Sequence, residues 1–144
     1  MGLPGAGKTY ISRYLVELFK AAGKTVTWLN ADEVRKATDD WDFSTEGRIR
    51  QSVRMRSLAD LSKDDIVLCD FVAPFAVMRE NFDADFSVWV DTIKAGRFED
   101  TNKAFVIPTN YDLRFKEQDH LFYGKIIAKL VLHKLCLKQQ GEVL

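Results

Sequence analysis

The chain has 144 residues, of which 47% are hydrophobic, and this length supports one domain with one core rather than two ordinary domains. Its 21 lysine and arginine residues balance 21 aspartate and glutamate residues, so the overall charge gives no reason to expect a nucleic acid or an anionic membrane as a partner. No apolar run approaches the roughly 20 residues of a membrane span. We therefore expect a single domain, residues 1–144, located in the cytoplasm.

The chain begins with MGLPGAGKTY, which contains the motif of a phosphate-binding loop. Gly2, Gly7, Lys8 and Thr9 have the spacing GxxxxGKT, in which backbone N–H groups and the start of a helix face phosphate oxygens. Apolar residues at helical spacing predict that helix from Thr9 to Ala22. The motif predicts that Lys8 reaches the β- and γ-phosphates of ATP and that Thr9 ligates Mg²⁺. The predicted nucleotide-binding residues are Gly2, Leu3, Pro4, Gly5, Ala6, Gly7, Lys8 and Thr9.

A strand normally precedes the first glycine of such a loop, and here only Met1 does. A central strand of about five residues buries about three apolar side chains, worth about 5–9 kcal/mol together. The net stability of a whole domain is only about 5–15 kcal/mol. We therefore expect the natural polypeptide to begin several residues upstream, with an apolar strand.

Three further segments have the pattern of strands that end in polar residues. KTVTWLNAD predicts a strand followed by Asn30 and Asp32, IVLCD predicts a strand buried on both faces that ends at Asp70, and DFSVWVDT predicts a strand that ends at Asp91. YDLRF is a shorter candidate. Open α/β sheets bind their ligands at the carboxyl ends of the strands, so these polar residues are candidates for a binding site.

Helical patterns lie between and after these strands. Ser44 is the expected N-cap of a long, arginine-rich helix, and an amphipathic closing helix is predicted from about residue 117 to 139. Residues 95–110 show no clean period, which predicts a long functional loop. The alternation of strands and helices predicts an α/β fold with a parallel sheet flanked by helices.

The two cysteines lie far apart, Cys69 in an apolar run and Cys136 in the closing helix. This usage favours reduced thiols over a disulfide framework or a metal cluster. We expect both thiols to be buried.

Beyond the phosphate loop, several short motifs in one order resemble the adenylylsulfate kinase family. From Met1 to about Phe115 the chain carries GLPGAGKT, LNADEVR, DFSTEGRIRQ, FVAP with Arg79, VDT and RFEDTNKAFVIP. The resemblance implies a phosphate-loop NTPase-type three-layer fold and transfer of the ATP γ-phosphate to the 3′-hydroxyl of adenosine 5′-phosphosulfate. It also implies ATP and Mg²⁺ as requirements, small molecules as partners and a possible homodimer.

The family carries a two-aspartate motif, DGDNxR, where this chain has NADEVR. The resemblance implies that Asp32 orients or deprotonates the acceptor hydroxyl or holds Mg²⁺, and that Arg35 contacts the substrate. A carboxylate in this role can contribute roughly 10²- to 10⁴-fold as a general base. Asn30 departs from the motif and leaves one negative charge fewer at the metal. The alternative role for Asp32 is the N-cap of the helix EVRKAT, and the two roles are compatible. Lys8 and Asp32 are thus the candidate catalytic residues.

The resemblance also implies an acceptor site built from aromatic and cationic side chains. Phe43 and Phe98 match two aromatics that sandwich the adenine, although ordinary core packing is the alternative for each. Arg48 matches an anion-binding arginine and Gln51 matches an asparagine, whereas the other arginines of this helix are expected to form a solvated face. The implied substrate-binding residues are Asp32, Arg35, Phe43, Arg48, Gln51, Phe71, Val72, Ala73 and Phe98.

Two departures from the family pattern affect the predicted reaction. Ala73 stands where some members carry a phosphorylated serine, so direct transfer from ATP is the remaining mechanism. A lid with the motif KGLYxxA is missing, because only Thr92–Arg97 separates the predicted strand from Phe98. Lys94 and Arg97 are candidates to replace the charges of that lid. A kinase for another nucleotide or hydroxyl acceptor, or a nucleotide-binding module with weak catalysis, therefore remains an alternative.

Asp70 is a second candidate for the metal. The segment IVLCD resembles the apolar strand that ends in a metal-associated aspartate in many phosphate-loop proteins. The adenylylsulfate kinase pattern requires no acid at this position. The candidate metal ligands are Thr9, Asp32 and Asp70.

Overall fold

The computed structural model describes residues 1–141, in which helices and parallel strands alternate. The elements follow the order α1 (Lys8–Ala21), β1 (Val26–Asn30), α2 (Ala31–Thr38), α3 (Thr45–Leu61), β2 (Ile66–Asp70), α4 (Ala76–Phe82), β3 (Val88–Val90), α5 (Glu99–Ala104), β4 (Leu113–Phe115) and α6 (His120–Gly141). No helix within these residues has both the length and the apolar character needed to cross a membrane. The predicted α/β class with parallel strands is confirmed.

The strands form two parallel pairs, β1 with β2 and β3 with β4, rather than one continuous sheet. In the first pair the last residues, Asn30 and Asp70, lie opposite each other. Met1 stands beside the second pair, where its amino group donates to the carbonyl of Val88 (2.8 Å) and its carbonyl accepts from the N–H of Val90 (2.9 Å). The side chain of Met1 packs on the core under the first pair. Within residues 1–141, Met1 makes its backbone hydrogen bonds with the second pair only, and no strand joins the two pairs.

Two hydrophobic clusters form the core. The larger one joins the apolar stripes of α1 and α6 to β3 and β4, since residues three and four apart share one helix face; its buried members are Ala6, Ile11, Leu15, Phe19, Val90, Phe115, Ile127 and Ala128. The smaller one joins α2, α3 and α4 at the end of β2, through Val34, Met55, Phe71, Ala73 and Met78. The two clusters hold the helices so that the carboxyl ends of β1 and β2 face the start of α1.

The structure differs from the sequence-based expectation at three places. Residues 95–110 contain α5, a helix of six residues that is too short and too polar to show a period. The closing helix begins at His120 and extends to Gly141. Cys69 is half-buried, whereas Cys136 is exposed on α6, so the prediction of a buried thiol is wrong for Cys136.

Candidate active site

The phosphate loop ends at Gly7, which caps α1. Gly5 and Gly7 have φ values of 87° and 97°, in the left-handed region that favours glycine. A Cβ atom on Gly7 would lie 2.2 Å from Nε2 of His120, so a side chain here would also require the ring of His120 to move. The carbonyl of Leu3 accepts a hydrogen bond from Nζ of Lys8 (2.9 Å), which keeps this side chain folded over the loop. Gly2, Pro4 and Ala6 complete the turn between Met1 and α1, and Thr9 lies in the first turn of α1.

Lys8 lies in a partly desolvated position near two carboxylates. Burial lowers the pKa of Lys8, and the negative charges of Asp70 and Asp32 oppose that shift. Both carboxylates are therefore close enough to Lys8 to stabilise its charge. The three residues come from three elements, α1, α2 and β2, that meet at the carboxyl ends of the first strand pair.

Thr9, Asn30 and Asp70 form a hydrogen-bonded corner beside the loop. Oδ2 of Asp70 accepts from Oγ1 of Thr9 (3.0 Å) and from Nδ2 of Asn30 (2.9 Å). Nδ2 of Asn30 also lies 3.2 Å from Oγ1 of Thr9. Oδ1 of Asn30 accepts from the backbone N–H groups of Asp32 and Glu33. The N-cap of α2 is therefore Asn30, and the interpretation of Asp32 as the cap is wrong, because the helix begins one residue after β1 ends.

The corner fits a magnesium ion that a nucleotide helps to hold. Within residues 1–141, no group of three or more His, Cys, Asp or Glu side chains surrounds a potential metal position. Thr9 and Asp70 instead offer a hydroxyl and a carboxylate oxygen side by side. Mg²⁺ commonly takes one or two carboxylates together with phosphates and water. The donor set is thus too small for a cage of protein ligands but suits a metal–nucleotide complex.

A small pocket opens next to this corner, between α2, α3 and the residues after β2. Its volume of about 60 Å³ is well below the roughly 300–1,000 Å³ of sites that enclose small ligands. It is lined by Ala31, Asp32, Arg35, Phe43, Arg48, Gln51, Phe71, Val72, Ala73, Pro74 and Met78. Every substrate-binding residue suggested by the resemblance lies here except Phe98. That side chain is half-exposed just before α5, with the guanidinium of Arg97 5.2 Å from its ring.

Two guanidinium groups lie close to the ring of Phe43. The guanidinium carbon of Arg35 lies 4.5 Å from the centroid of the Phe43 ring, and that of Arg48 lies 5.5 Å away. Nη1 of Arg35 donates to the carbonyls of Asp40 and Asp42, and burial lowers the pKa of Arg35. Cation–π contacts of this kind fix the ring plane. The ring nevertheless remains 48% exposed, so one part of it is available for stacking.

Arg50 is exposed, as expected of a solvated face, whereas Arg54 and Arg56 are half-buried. Arg50 and Arg54 both donate to the carboxylate of Asp40, and these hydrogen bonds hold the pKa of Asp40 well below its usual range. Arg56 donates to the carbonyl of Phe82 at the end of α4. The pairs with Asp40 fix the segment between α2 and α3, which carries Phe43.

Arg48 is buried, with 6% of its surface exposed, and three hydrogen bonds hold it. Its Nε donates to the carbonyl of Phe43 (2.9 Å), and its Nη2 donates to Oδ2 of Asp100 (3.2 Å) and to Oγ1 of Thr101 (3.1 Å). Gln51, one turn further along α3, donates to the carbonyl of Ala31 (3.0 Å). Sequence reasoning missed Asp100 and Thr101, because no local pattern connects them to a residue more than fifty positions earlier.

The family model described as adenylylsulphate kinase matches residues 1–94, which is more than half of the chain. The chain belongs to the adenylylsulfate kinase family. The family resemblance predicted from the motifs is therefore confirmed.

Individual relatives match parts of the chain. A "Probable adenylyl-sulfate kinase" of Pseudomonas aeruginosa is 37% identical over 83 residues, which are 56% of this chain and 39% of that protein. A cytidine diphosphoramidate kinase of Campylobacter jejuni is 28% identical over 82 residues, 57% of this chain and 48% of that protein. The chain thus spans less than half the length of these curated relatives.

A solved structure covers more of the chain. The Mycobacterium tuberculosis APS kinase CysC, in complex with AMPPNP and APS, superposes with a TM-score of 0.69 at 21% identity over 94% of both chains. This likeness shows the phosphate-loop kinase fold.

In this adenylylsulfate kinase family member, the segment after α5 is anchored to the wall of the pocket. The N–H of Val106 donates to the carbonyl of Pro74 (2.8 Å), and Nη2 of Arg79 donates to the carbonyl of Val106 (2.6 Å). Nε of Arg79 donates to the carbonyl of Ala73 (2.7 Å), a residue with a φ of 48°. Lys94 and Arg97, the candidates to replace the charges of the missing lid, are both exposed. The structure instead brings residues 99–106 to the pocket, and we call these residues the cover.

Proposed function

We propose that this protein is an ATP-dependent kinase that transfers the γ-phosphate of ATP to the 3′-hydroxyl of adenosine 5′-phosphosulfate. The observation that carries the proposal is the position of Asp32, whose side chain lines the pocket and whose charge acts on Lys8 of the phosphate loop. Phosphoryl transfer needs a group that orients or deprotonates the acceptor at the boundary between acceptor and phosphates. Family membership, and the AMPPNP and APS named with the Mycobacterium structure, support the same choice.

Each side chain then has a role that its surroundings favour. The backbone of the loop and Lys8 bind the phosphates of ATP, and Asp32 orients the acceptor hydroxyl. Arg48 binds the anionic end of the acceptor, and the exposed part of Phe43 stacks on its base. Thr9 and Asp70 would hold Mg²⁺, which supplies neutralisation of phosphate charge when bound. Ala73 offers no hydroxyl, so transfer is direct from ATP.

A coupled assay of ADP release tests the proposal. Wild-type protein with Mg²⁺ and ATP is expected to turn over only when adenosine 5′-phosphosulfate is present, and the product carries a 3′-phosphate. Asp32→Asn is expected to lose at least about 100-fold in turnover while binding AMPPNP as before. The neighbouring Glu33→Gln, which removes an exposed acid from the same helical turn, serves as the matched control. Unchanged turnover of Asp32→Asn would contradict the assigned role.

A second candidate is a kinase for a different nucleotide acceptor. The Campylobacter relative, named for cytidine diphosphoramidate, is the observation that favours it. The same assay with cytidine diphosphate and related cytidine nucleotides separates the two candidates. Binding of AMPPNP without turnover on either acceptor class would instead indicate a nucleotide-binding module.

The homodimer, the single domain and the cytoplasmic location also remain predictions. Sedimentation velocity at micromolar concentration tests the first, since a monomer of 16.5 kDa and its dimer separate clearly.

A further inference from the structure

The cover joins two residues of the pocket lining. At one end Asp100 and Thr101 accept hydrogen bonds from Arg48, and at the other Val106 is bonded to Pro74. Thr101 is buried at 5% exposure, so this end of α5 is packed and not merely adjacent. The cover therefore contacts the pocket lining at Arg48 and at Pro74, and none of its own residues lines the pocket.

The pocket is too small to enclose the acceptor. Its volume is about 60 Å³, whereas sites that enclose small ligands measure roughly 300–1,000 Å³. A nucleotide can enter only if part of the lining moves. Asp100 contacts the lining residue Arg48 from outside the pocket, and water already reaches it, because its side chain is 69% exposed while that of Arg48 is 7% exposed.

Asp100 also places a negative charge where an acceptor anion would bind. Its Oδ2 lies 3.2 Å from Nη2 of Arg48. An anion that approaches the same guanidinium meets repulsion from this carboxylate, whichever nitrogen it contacts. A strongly charged ligand can replace the carboxylate, whereas a neutral nucleoside gains nothing from doing so.

We propose that Asp100 is a specificity-determining residue, whose carboxylate occupies the anion position of Arg48 in the free enzyme and must be replaced by the anionic group of the acceptor. The inference rests on the proposed function, because it takes Arg48 as the anion-binding side chain. Asp100 thereby favours strongly anionic ligands over neutral ones at Arg48. The effect is modest, since ion pairs with one exposed partner are weak, and we expect about three- to fivefold in affinity.

The test compares two neighbouring substitutions that each change one partner of Arg48. Asp100→Asn removes the charge and keeps the shape, whereas Thr101→Val removes a neutral acceptor. Calorimetry of adenosine 5′-phosphosulfate binding, with the protein saturated by AMPPNP and Mg²⁺, is expected to show about three- to fivefold tighter binding for Asp100→Asn at low salt. That gain is expected to shrink at about 0.5 M salt, where the screening length is about 4 Å. Thr101→Val is expected to show no gain that depends on salt.

Equal or weaker binding by Asp100→Asn at low salt would overturn the proposal and assign Asp100 to holding α5 in place. If the wild type does not bind adenosine 5′-phosphosulfate at all, the proposed function fails, and inorganic sulfate becomes the probe of the inference. Sulfate is then expected to raise the melting temperature of Asp100→Asn more than that of the wild type. Sulfate binding at the phosphate loop affects both proteins equally, so equal shifts would overturn the inference independently of the acceptor.

Discussion

Exchanging the amide and the carboxylate at positions 30 and 70 tests which contacts hold together the corner formed by Thr9, Asn30 and Asp70. In Asn30→Asp, a second carboxylate faces Asp70, where an N–H donor now lies 2.9 Å from its oxygen. A hydrogen bond to a charged group is worth about 1.5–3 kcal/mol, and this one is lost. Two charges 4 Å apart repel by about 4 kcal/mol at an effective dielectric constant of 20. Because relaxation and proton uptake relieve much of the repulsion, we expect the free energy of unfolding to fall by about 3 kcal/mol at pH 7.

The reciprocal change is expected to be milder. In Asp70→Asn, an amide oxygen can still accept from Thr9 and Asn30, so only the charge assistance of two hydrogen bonds is lost, about 1–2 kcal/mol. The double variant Asn30→Asp/Asp70→Asn restores one amide and one carboxylate in reversed positions. The introduced carboxylate also still caps α2. We therefore expect the double variant to lie within about 1 kcal/mol of the wild type, which is a coupling energy of at least about 3 kcal/mol.

Urea denaturation of the four proteins, at pH 7 and without divalent metal, measures this cycle. Circular dichroism follows the helices, and equal m-values indicate that the same surface unfolds in each protein. If the double variant loses the sum of the two single losses, about 4–5 kcal/mol, the two side chains are independent. That result would refute the pairing as the reason for the geometry of the corner.

Three other predictions follow from single contacts. Gly7→Ala is expected to weaken AMPPNP binding at least about tenfold, because it combines a left-handed φ with a clash against His120. Adding His120→Ala should recover part of this loss, and no recovery would exclude the clash as its cause. Phe43→Ala is expected to raise the KM for the acceptor about 5- to 100-fold, because stacking on the base is lost. Phe98 lies outside the pocket, so Phe98→Ala should change this KM less than about twofold, and equal effects would contradict the different placement of the two rings. Burial raises the pKa of Cys69 to about 12, so about one Cys69 thiol in 10⁴ is ionised at pH 8. After treatment with iodoacetamide, mass spectrometry should find the exposed Cys136 modified and Cys69 intact. Similar labelling of both would show that Cys69 is accessible as a thiolate.

Sequence patterns predicted most of the helices and strands because each of these patterns lies within one short segment of the chain. The phosphate loop motif, the apolar period of α1 and the apolar runs of β1 and β2 each lie within one continuous segment. The short helix α5 escaped prediction because six mostly polar residues cannot show a period. The split of the sheet also escaped prediction, since the pairing of strands depends on contacts between segments that are far apart in the sequence.

The contacts between side chains of the site required the structure. Asn30 looks like the loss of an acid when it is compared with a motif, and only the register of β1 and β2 shows that it donates to Asp70. Arg48 could be selected as an anion-binding residue from its position, but its partner Asp100 follows 52 residues later. A one-dimensional pattern gives the type of a side chain at each position and not the neighbour that folding brings to it.

The two ends of the cover are attached to the rest of the protein by different kinds of contact. The end at Arg48 combines an ion pair whose Asp100 side chain is exposed with a hydrogen bond to the buried Thr101, while the end at Val106 depends on a backbone hydrogen bond and on a partly buried arginine. Loss of the ion pair alone therefore leaves the other attachments of the cover in place. Asp100 lies within α5, which ends at Ala104, and Val106 follows in non-helical backbone. Replacement of the Asp100 carboxylate by a ligand anion then changes one side-chain contact and does not require α5 to unfold.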